Sequence, residues 1–352
     1  MRSRRSTRLW TVPVLVLAAG LVASACGSSS KKATSTSTTP ATAPPTFPAG
    51  TTMANIQAKG KMVVGIKFDQ PGVGLRNPTN NSFEGFDVDI AKLMAVGIFG
   101  GSPDTLGNKI EFVEAVSANR ETFIENGNVD AVIASYTIND ARKQRVDFAG
   151  PYLLAHQDIL VKASDTTIKS VTDLNGKKVC SVQGSTSEKN VIAKAPQAQL
   201  LSFDDYSKCT EALTDGRVVA VTTDGPILAG YVAKSNGAFK VVNAPFTDEP
   251  YGIGMKKGDD AFRAFLNDRL EKIEADGQWA SAFQATLGKL GLALPTPPPI
   301  DRYVSGGSPS ATTSTTATGG ATSTTKAAGA TTTAPTVTTT VPATTSTSTS
   351  TP

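Results

Sequence analysis

Two charged side chains stand where an alternating strand and helix chain gathers its chemistry, just past the carboxyl ends of strands. Arg142 follows the polar strand end Ser135-Tyr136-Thr137, in Thr137-Ile138-Asn139-Asp140-Ala141-Arg142, where a helix N-terminus and a guanidinium can share one carboxylate. Asp224 closes the run Val218 to Thr223 and can accept an ammonium group. Between them they suit a small zwitterion. Each has a plainer reading too: Lys143 and Arg145 adjoin Arg142 as on a solvated face, and Asp224-Gly225-Pro226 is a good N-cap sequence.

Bond-making chemistry finds less to work with. His156 is the only imidazole in the chain, and a single His is more often a structural hydrogen-bonder than a base. Gly184-Ser185-Thr186-Ser187 lacks the nucleophile-elbow pattern, and neither a phosphate loop nor a dinucleotide fingerprint occurs. The pairs Asp204-Asp205 and Asp259-Asp260 lie in polar stretches and are expected to be solvated. One His and no closely spaced Cys pair argue against a metal site, so neither metal nor cofactor is expected and the chain reads as a non-enzyme.

Composition divides the 352 residues into unequal parts. The formal charge of +4 comes from Arg2, Arg4, Arg5 and Arg8, so the remainder is balanced and general nucleic-acid binding is disfavoured. Those arginines precede an apolar stretch from Leu9 to Val22 and the small residues Ala23-Ser24-Ala25 before Cys26, which is an export signal over 1–25. Its end resembles a lipobox, implying a diacylated Cys26 that anchors the chain to the outer face of the cytoplasmic membrane. Residues 26–52, rich in Ser, Thr and Pro, read as a disordered tether, and 305–352 as a disordered Thr/Ser/Ala/Pro tail, since neither can bury enough apolar surface to offset its ordering entropy. Composition does not say whether the tail is glycosylated. With Cys26 lipidated, Cys180 and Cys209 are left to pair in an oxidising compartment or to remain as two buried thiols.

The core between these segments must position the chemistry. Strands are predicted over 61–68, 109–113 and 129–135, with a helix opening at Asp87 as N-cap and a short helix over 120–125 ended by Asn126-Gly127. A similar unit follows: strands over 178–182, 199–202 and 218–223, with helices from Ser185 and over 207–213. The fold class is α/β, two lobes each built on a mostly parallel sheet flanked by helices, with a cleft at the facing strand ends. Lobe 1 is assigned to 53–157 and, on its return, 245–304 with C-terminal helices. Lobe 2 is 158–244, and the chain crosses between them near 155–161 and 240–245.

The core resembles the extracytoplasmic solute-binding proteins of polar amino acid ABC transporters. The residues that carry the resemblance are Gly127-Asn128-Val129-Asp130-Ala131-Val132, Thr137 to Tyr152, Val182-Gln183-Gly184-Ser185-Thr186-Ser187-Glu188 and Asp224-Gly225-Pro226-Ile227-Leu228-Ala229-Gly230. Lys178-Val179-Cys180, Tyr206-Ser207-Lys208-Cys209 and Lys67 to Gly72 look most like the actinobacterial glutamate/glutamine-type binding lipoproteins, which implies a Cys180–Cys209 disulfide. The resemblance implies a periplasmic-binding-protein fold with two hinge crossovers and a monomer that hands its guest to an ABC permease, or reports its occupancy to a membrane sensor. A few relatives of this fold are dehydratases or lyases.

It also implies roles. Arg142 would hold the α-carboxylate with Thr137 and Thr186, Asp224 the α-ammonium, and Phe68 would cover the aliphatic part. Lys67 and Arg120 would pair a side-chain carboxylate. Arg76 is a further candidate, and Ser135 and Tyr136 line the site where a smaller pair is frequent. Lys67, Arg120 and Arg142 against Asp224 leave two positive charges over, so the expected order is glutamate or aspartate, then asparagine or glutamine.

Overall fold

The computed structural model describes residues 44–303. The export signal, Cys26, most of the tether and the tail from 305 lie outside the described residues. The chain order is α1 (Thr52–Lys59), β1 (Met62–Ile66), β2 (Asp69–Gln70), β3 (Gly74–Arg76), β4 (Phe83–Glu84), α2 (Phe86–Phe99), β5 (Ile110–Glu114), α3 (Arg120–Glu125), β6 (Ala131–Val132), α4 (Asp140–Lys143) and β7 (Asp147–Lys162). It continues with β8 (Lys178–Val182), α5 (Thr186–Lys194), β9 (Gln199–Phe203), α6 (Tyr206–Thr214), β10 (Ala220–Asp224), α7 (Gly225–Lys234), β11 (Phe239–Val241), β12 (Thr247–Met255), α8 (Asp260–Ala275) and α9 (Gln278–Ala285).

Nine strands form one sheet in the order β5-β1-β6-β12-β7-β10-β8-β9, with β11 paired to β7. Pairing separates its two halves. β5, β1 and β6 are parallel on one side, and β10, β8 and β9 are parallel on the other. Parallel strands covered on both faces need near-continuous apolar runs, which Met62-Val63-Val64-Gly65-Ile66 supplies. The strand expected over 129–135 is reduced to Ala131–Val132, although Asp130 and Ile133 still donate to the backbone of β1.

The halves are joined by β7 and β12, which pair antiparallel from Asp147↔Met255 to Gln157↔Thr247. β7 is one unbroken strand of 16 residues, and its second half, where a crossing segment was expected, already pairs with β10 through Gln157↔Asp224 to Val161↔Ala220. The connection is therefore a two-stranded ribbon of β7 and β12, the second strand starting at Thr247 rather than within the 240–245 segment expected to cross. His156 lies on this ribbon, its Nδ1 2.9 Å from Asp248 Oδ1, as a surface hydrogen-bonder.

Three local readings change. Gly85, not Asp87, is the N-cap of α2; Asp87 is fully buried two residues further in, accepting from Ser135 N–H at 2.6 Å and the Tyr152 hydroxyl at 2.7 Å. Asp205 is not simply solvated, since it receives Lys67 Nζ at 2.7 Å across the halves. The end of the assigned tether is docked, because Phe47 finds an apolar seat edge-on to Phe265 with ring centroids 5.4 Å apart.

The disulfide Cys180–Cys209 ties β8 to α6. Opening a loop of 29 residues' separation releases chain entropy worth about 3–4 kcal/mol in the unfolded state. The Cys180→Ala/Cys209→Ala protein is expected to unfold at correspondingly lower urea, measured by far-ultraviolet circular dichroism; an unchanged midpoint would contradict a stabilising bridge.

Candidate functional site

A small, partly open cavity lies where the two parallel sets of strands face each other. From the first half it is lined by Gln70, Ser117, Arg120, Ser135 and Arg142, and from the second by Ser185, Thr186, Ser187, Tyr206, Thr223, Asp224 and Ile227. It leaves about 10 Å³ to the centre of a water-sized sphere, room for one water, so anything as large as an amino acid enters only when the halves part.

Arg142 is placed by a short helix. Asn139 caps α4, its Oδ1 accepting from Arg142 N–H at 2.9 Å, and the guanidinium turns back to donate from Nη1 to Thr137 O at 2.7 Å. Its Nε lies 3.3 Å from Glu121 Oε1, and Nη2 reaches Gly184 O of the opposite half at 3.5 Å. Arg142 is 5% exposed, so the reading as a solvated face does not hold; Arg145, 48% exposed, takes that role with Glu125. Arg120 opens α3 and is 3% exposed, and its side chain makes one hydrogen bond among the described residues, a long one of 3.4 Å from Nε to Ala115 O. No described carboxylate lies within ion-pair distance of it. Burial, and then the like charge of Arg142, draw its pKa below the usual value.

Asp224 does occupy the N-cap position of α7, yet its side chain makes no capping bond. The carboxylate instead accepts from the Tyr251 hydroxyl at 2.6 Å and from Ser187 Oγ at 3.4 Å, beside the cavity. Burial, and then the charge of Glu249, raise its pKa to about 7, Tyr251 and the two arginines opposing them. No ion pair joins Asp224 to either arginine among the described residues.

The second wall is held by the hinge. Gln157 on β7 donates from Nε2 to Ser187 O at 3.1 Å and accepts from Asn190 at 2.8 Å, fixing the first turns of α5. Ser185 caps that helix, its Oγ accepting from Glu188 N–H at 2.9 Å. Glu249 on β12 accepts from Thr137 Oγ1 at 2.7 Å and Asn190 Nδ2 at 2.9 Å, so one buried carboxylate touches both halves. Thr137 and Thr186 face each other across the gap at 3.4 Å.

Of the residues picked out in the sequence, Arg120, Ser135, Arg142, Thr186 and Asp224 come together on the cavity, with Thr137 at its edge. Lys67, Phe68, Arg76 and Tyr136 do not line it. Lys67 is wholly buried against Asp205 and, at 3.4 Å, Asp69. Arg76 lies over the Phe68 ring at 5.5 Å and donates to Asn81, and Phe68 packs on Phe83. Tyr136 lies behind the two arginines. Sequence reasoning missed Gln70, Ser117, Tyr206 and Ile227, which carry no local signal, and passed over Thr223 although it belongs to the polar strand end before Asp224. Ser185 and Ser187, flanking Thr186 at a helix start, could have been found.

The halves also touch outside the cavity. The Tyr231 hydroxyl donates to Asp69 O at 2.7 Å, and Ser207 N–H to Asp69 Oδ2 at 3.2 Å. A Cβ on Gly230 would lie 2.1 Å from Pro71 O, and one on Gly184 2.9 Å from Ala118 Cα, so glycine is required at both contacts.

Comparison with known proteins agrees with this architecture. The family model for bacterial extracellular solute-binding proteins, family 3, matches residues 62–289. The chain is 41% identical over 295 residues to the glutamate-binding protein GluB of Corynebacterium glutamicum, covering 81% of this chain and 92% of that one. It is 37% identical over 278 residues to the ABC transporter glutamine-binding protein GlnH of Bacillus subtilis, covering 79% and 96%. A solved structure of an ancestral arginine-binding protein bound to glutamine matches with a TM-score of 0.59 and 36% identity, covering 65% of this chain and 98% of that one. All three are named as binding proteins. A sheet in two parallel halves on a shared hinge ribbon, a cavity between their strand ends and this match together place the chain in family 3 of the bacterial extracellular solute-binding proteins.

Proposed function

We propose that the chain captures an amino acid between its two halves, glutamate or aspartate before asparagine or glutamine, and delivers it to an ABC importer. The observation that carries this reading is one cavity with two buried guanidiniums on one wall and one buried carboxylate on the other, left unjoined. Arg142 takes the α-carboxylate and Asp224 the α-ammonium. Within the cavity lining itself, Arg120 and Arg142 against Asp224 leave one positive charge rather than the two counted from sequence, because Lys67 is taken up outside it by Asp69 and Asp205, and Glu121 stands beside Arg142 but outside the lining. A side-chain carboxylate balances it, which favours a dicarboxylic guest. The names of two relatives, one glutamate-binding and one glutamine-binding, fit the same short ranking.

The cycle we assign is hinge closure. The guest contacts both halves only when they meet, so it favours the closed state by its differential contacts. Cys26 serves as the lipid anchor and the chain acts as a monomer with lobes 53–157 plus 245–304 and 158–244.

Isothermal titration against the twenty amino acids tests the reading: glutamate or aspartate should bind most tightly, and tight glutamine binding without either acid would reject the ranking. Arg142→Ala should lower affinity at least about a hundredfold, the scale of one buried charge-assisted pair, with the circular dichroism spectrum unchanged; retained affinity would remove Arg142 from the site.

Protons should compete with the guest. Asp224 must be ionised to hold an ammonium, and in the closed fold its carboxyl titrates at about 7. Below that value binding has to expel a proton, so affinity falls with pH, by at most about tenfold per unit. Titrations at pH 5.5 and 8.0 should show tighter binding at 8.0, and Asp224→Asn should bind weakly at both. A wild-type affinity flat across this range would contradict the role given to Asp224.

Lys67 should matter to closure and not to ligand choice. Lys67→Met is expected to weaken every bound amino acid by a common factor, roughly tenfold, because Asp69 and Asp205 lose their shared partner. A loss confined to the acidic amino acids, read from the same titrations, would instead put Lys67 in the ligand's reach.

A further inference from the structure

Tyr136 lies outside the cavity yet touches the two groups that give it its charge. Its ring centroid is 4.7 Å from Arg142 Cζ and 5.2 Å from Arg120 Cζ, both lying over the ring and both within cation–π range. The ring is fixed from the other directions by Phe148, with centroids 4.8 Å apart, and by Gly254, where a Cβ would come within 2.5 Å of Tyr136 Cε1. The preceding residue, Ser135, is held at a φ of 45° by its N–H bond to Asp87 and its hydroxyl bond to Gln70, which sets the turn that delivers the ring.

Buried tyrosines usually find a hydrogen-bond partner; among the described residues this hydroxyl meets none at full hydrogen-bond geometry, the Glu121 carboxylate being the group near enough to act on it. Burial, and then the charge of Glu121, push its pKa up, so the ring meets the arginines as a neutral phenol. What it offers is its π face.

Two like charges, both almost wholly buried, need compensation, and only Arg142 has a carboxylate beside it. A second carboxylate would compensate Arg120 at the cost of the same N–H donors that a guest needs. An aromatic face attracts a guanidinium through its plane and leaves the donors at the edge unspent. We infer that Tyr136 is a positioning residue, a plate that holds Arg120 and Arg142 through its ring and leaves the N–H groups not already given to Ala115, Thr137, Gly184 and Glu121 for the carboxylates of an acidic amino acid. The binding part of this inference rests on the proposed ligand; the geometric part does not.

The test uses the full chain as wild type, Tyr136→Phe and Tyr136→Leu. Nuclear magnetic resonance of the Arg Nε–Hε groups, assigned through Arg120→Lys and Arg142→Lys, should find both signals shifted upfield by the ring current in the wild type and Tyr136→Phe. Titration with L-glutamate should give Tyr136→Phe a Kd within about twofold of wild type and Tyr136→Leu a Kd raised about tenfold or more, at temperatures well below the melting of each. Tyr136→Leu binding at wild-type affinity would overturn the inference, since a purely structural ring would lower the melting temperature and spare the affinity. Unshifted arginine signals in the wild type would overturn it even if Tyr136→Leu did not fold. A wild type that binds no amino acid but shows the shifted signals would reject the ligand and leave the plate standing.

Discussion

Charge that is buried and left uncompleted governs this molecule. Arg120 and Arg142 stand on one wall of a small cavity and Asp224 on the other, each nearly out of water, and no ion pair joins them. Isolated buried charge is costly, and a protein can tolerate it by shifting protons or by supplying partial substitutes. Both appear here: the Asp224 carboxyl is pushed up to about 7, and the arginines rest on the ring of Tyr136. A guest with complementary charges completes what the chain leaves open, and the fold's other features serve to bring the walls together around it.

Closure is built into the chain at a distance from the cavity as well. Lys67 joins Asp69 and Asp205 across the halves, Asp69 receives Tyr231 and Ser207, and Gly230 lies flush on Pro71. In the proposed cycle these contacts would bias the hinge toward the closed state whichever amino acid is present, whereas Arg120, Arg142 and Asp224 would discriminate among guests. The two tasks fall on different residues. β7 and β12 connect them, because Gln157 and Glu249 on this ribbon bond to α5 and Thr137 at the cavity's margin. The ribbon can bend while its ladder persists, which suits a hinge better than two unpaired loops.

Much of this was legible in the sequence, for reasons tied to particular residues. Val-rich runs and the helix stop Asn126-Gly127 mark the α/β order, and α3 and β8 lie where local pattern puts them. Arg142 and Asp224 were legible because strand ends are where an α/β fold exposes polar groups. Lys67 was misplaced because its nearest partner, Asp205, is 138 residues away and nothing local announces it. Asp87 resembled an N-cap by type and position, and only the tertiary fold reveals Ser135 and Tyr152 waiting for its carboxylate. Tyr136 was read as lining the site because it precedes Thr137; the left-handed turn at Ser135 places its ring behind the arginines instead.

The most direct test of the central claim is a crystal structure of the protein grown with L-glutamate. The account predicts one glutamate enclosed between the halves, its α-carboxylate within hydrogen-bond distance of the Arg142 guanidinium, its α-ammonium on Asp224 and its side-chain carboxylate on Arg120. A glutamate seated elsewhere, or one enclosed with Arg142 and Asp224 both turned away from it, would contradict the account.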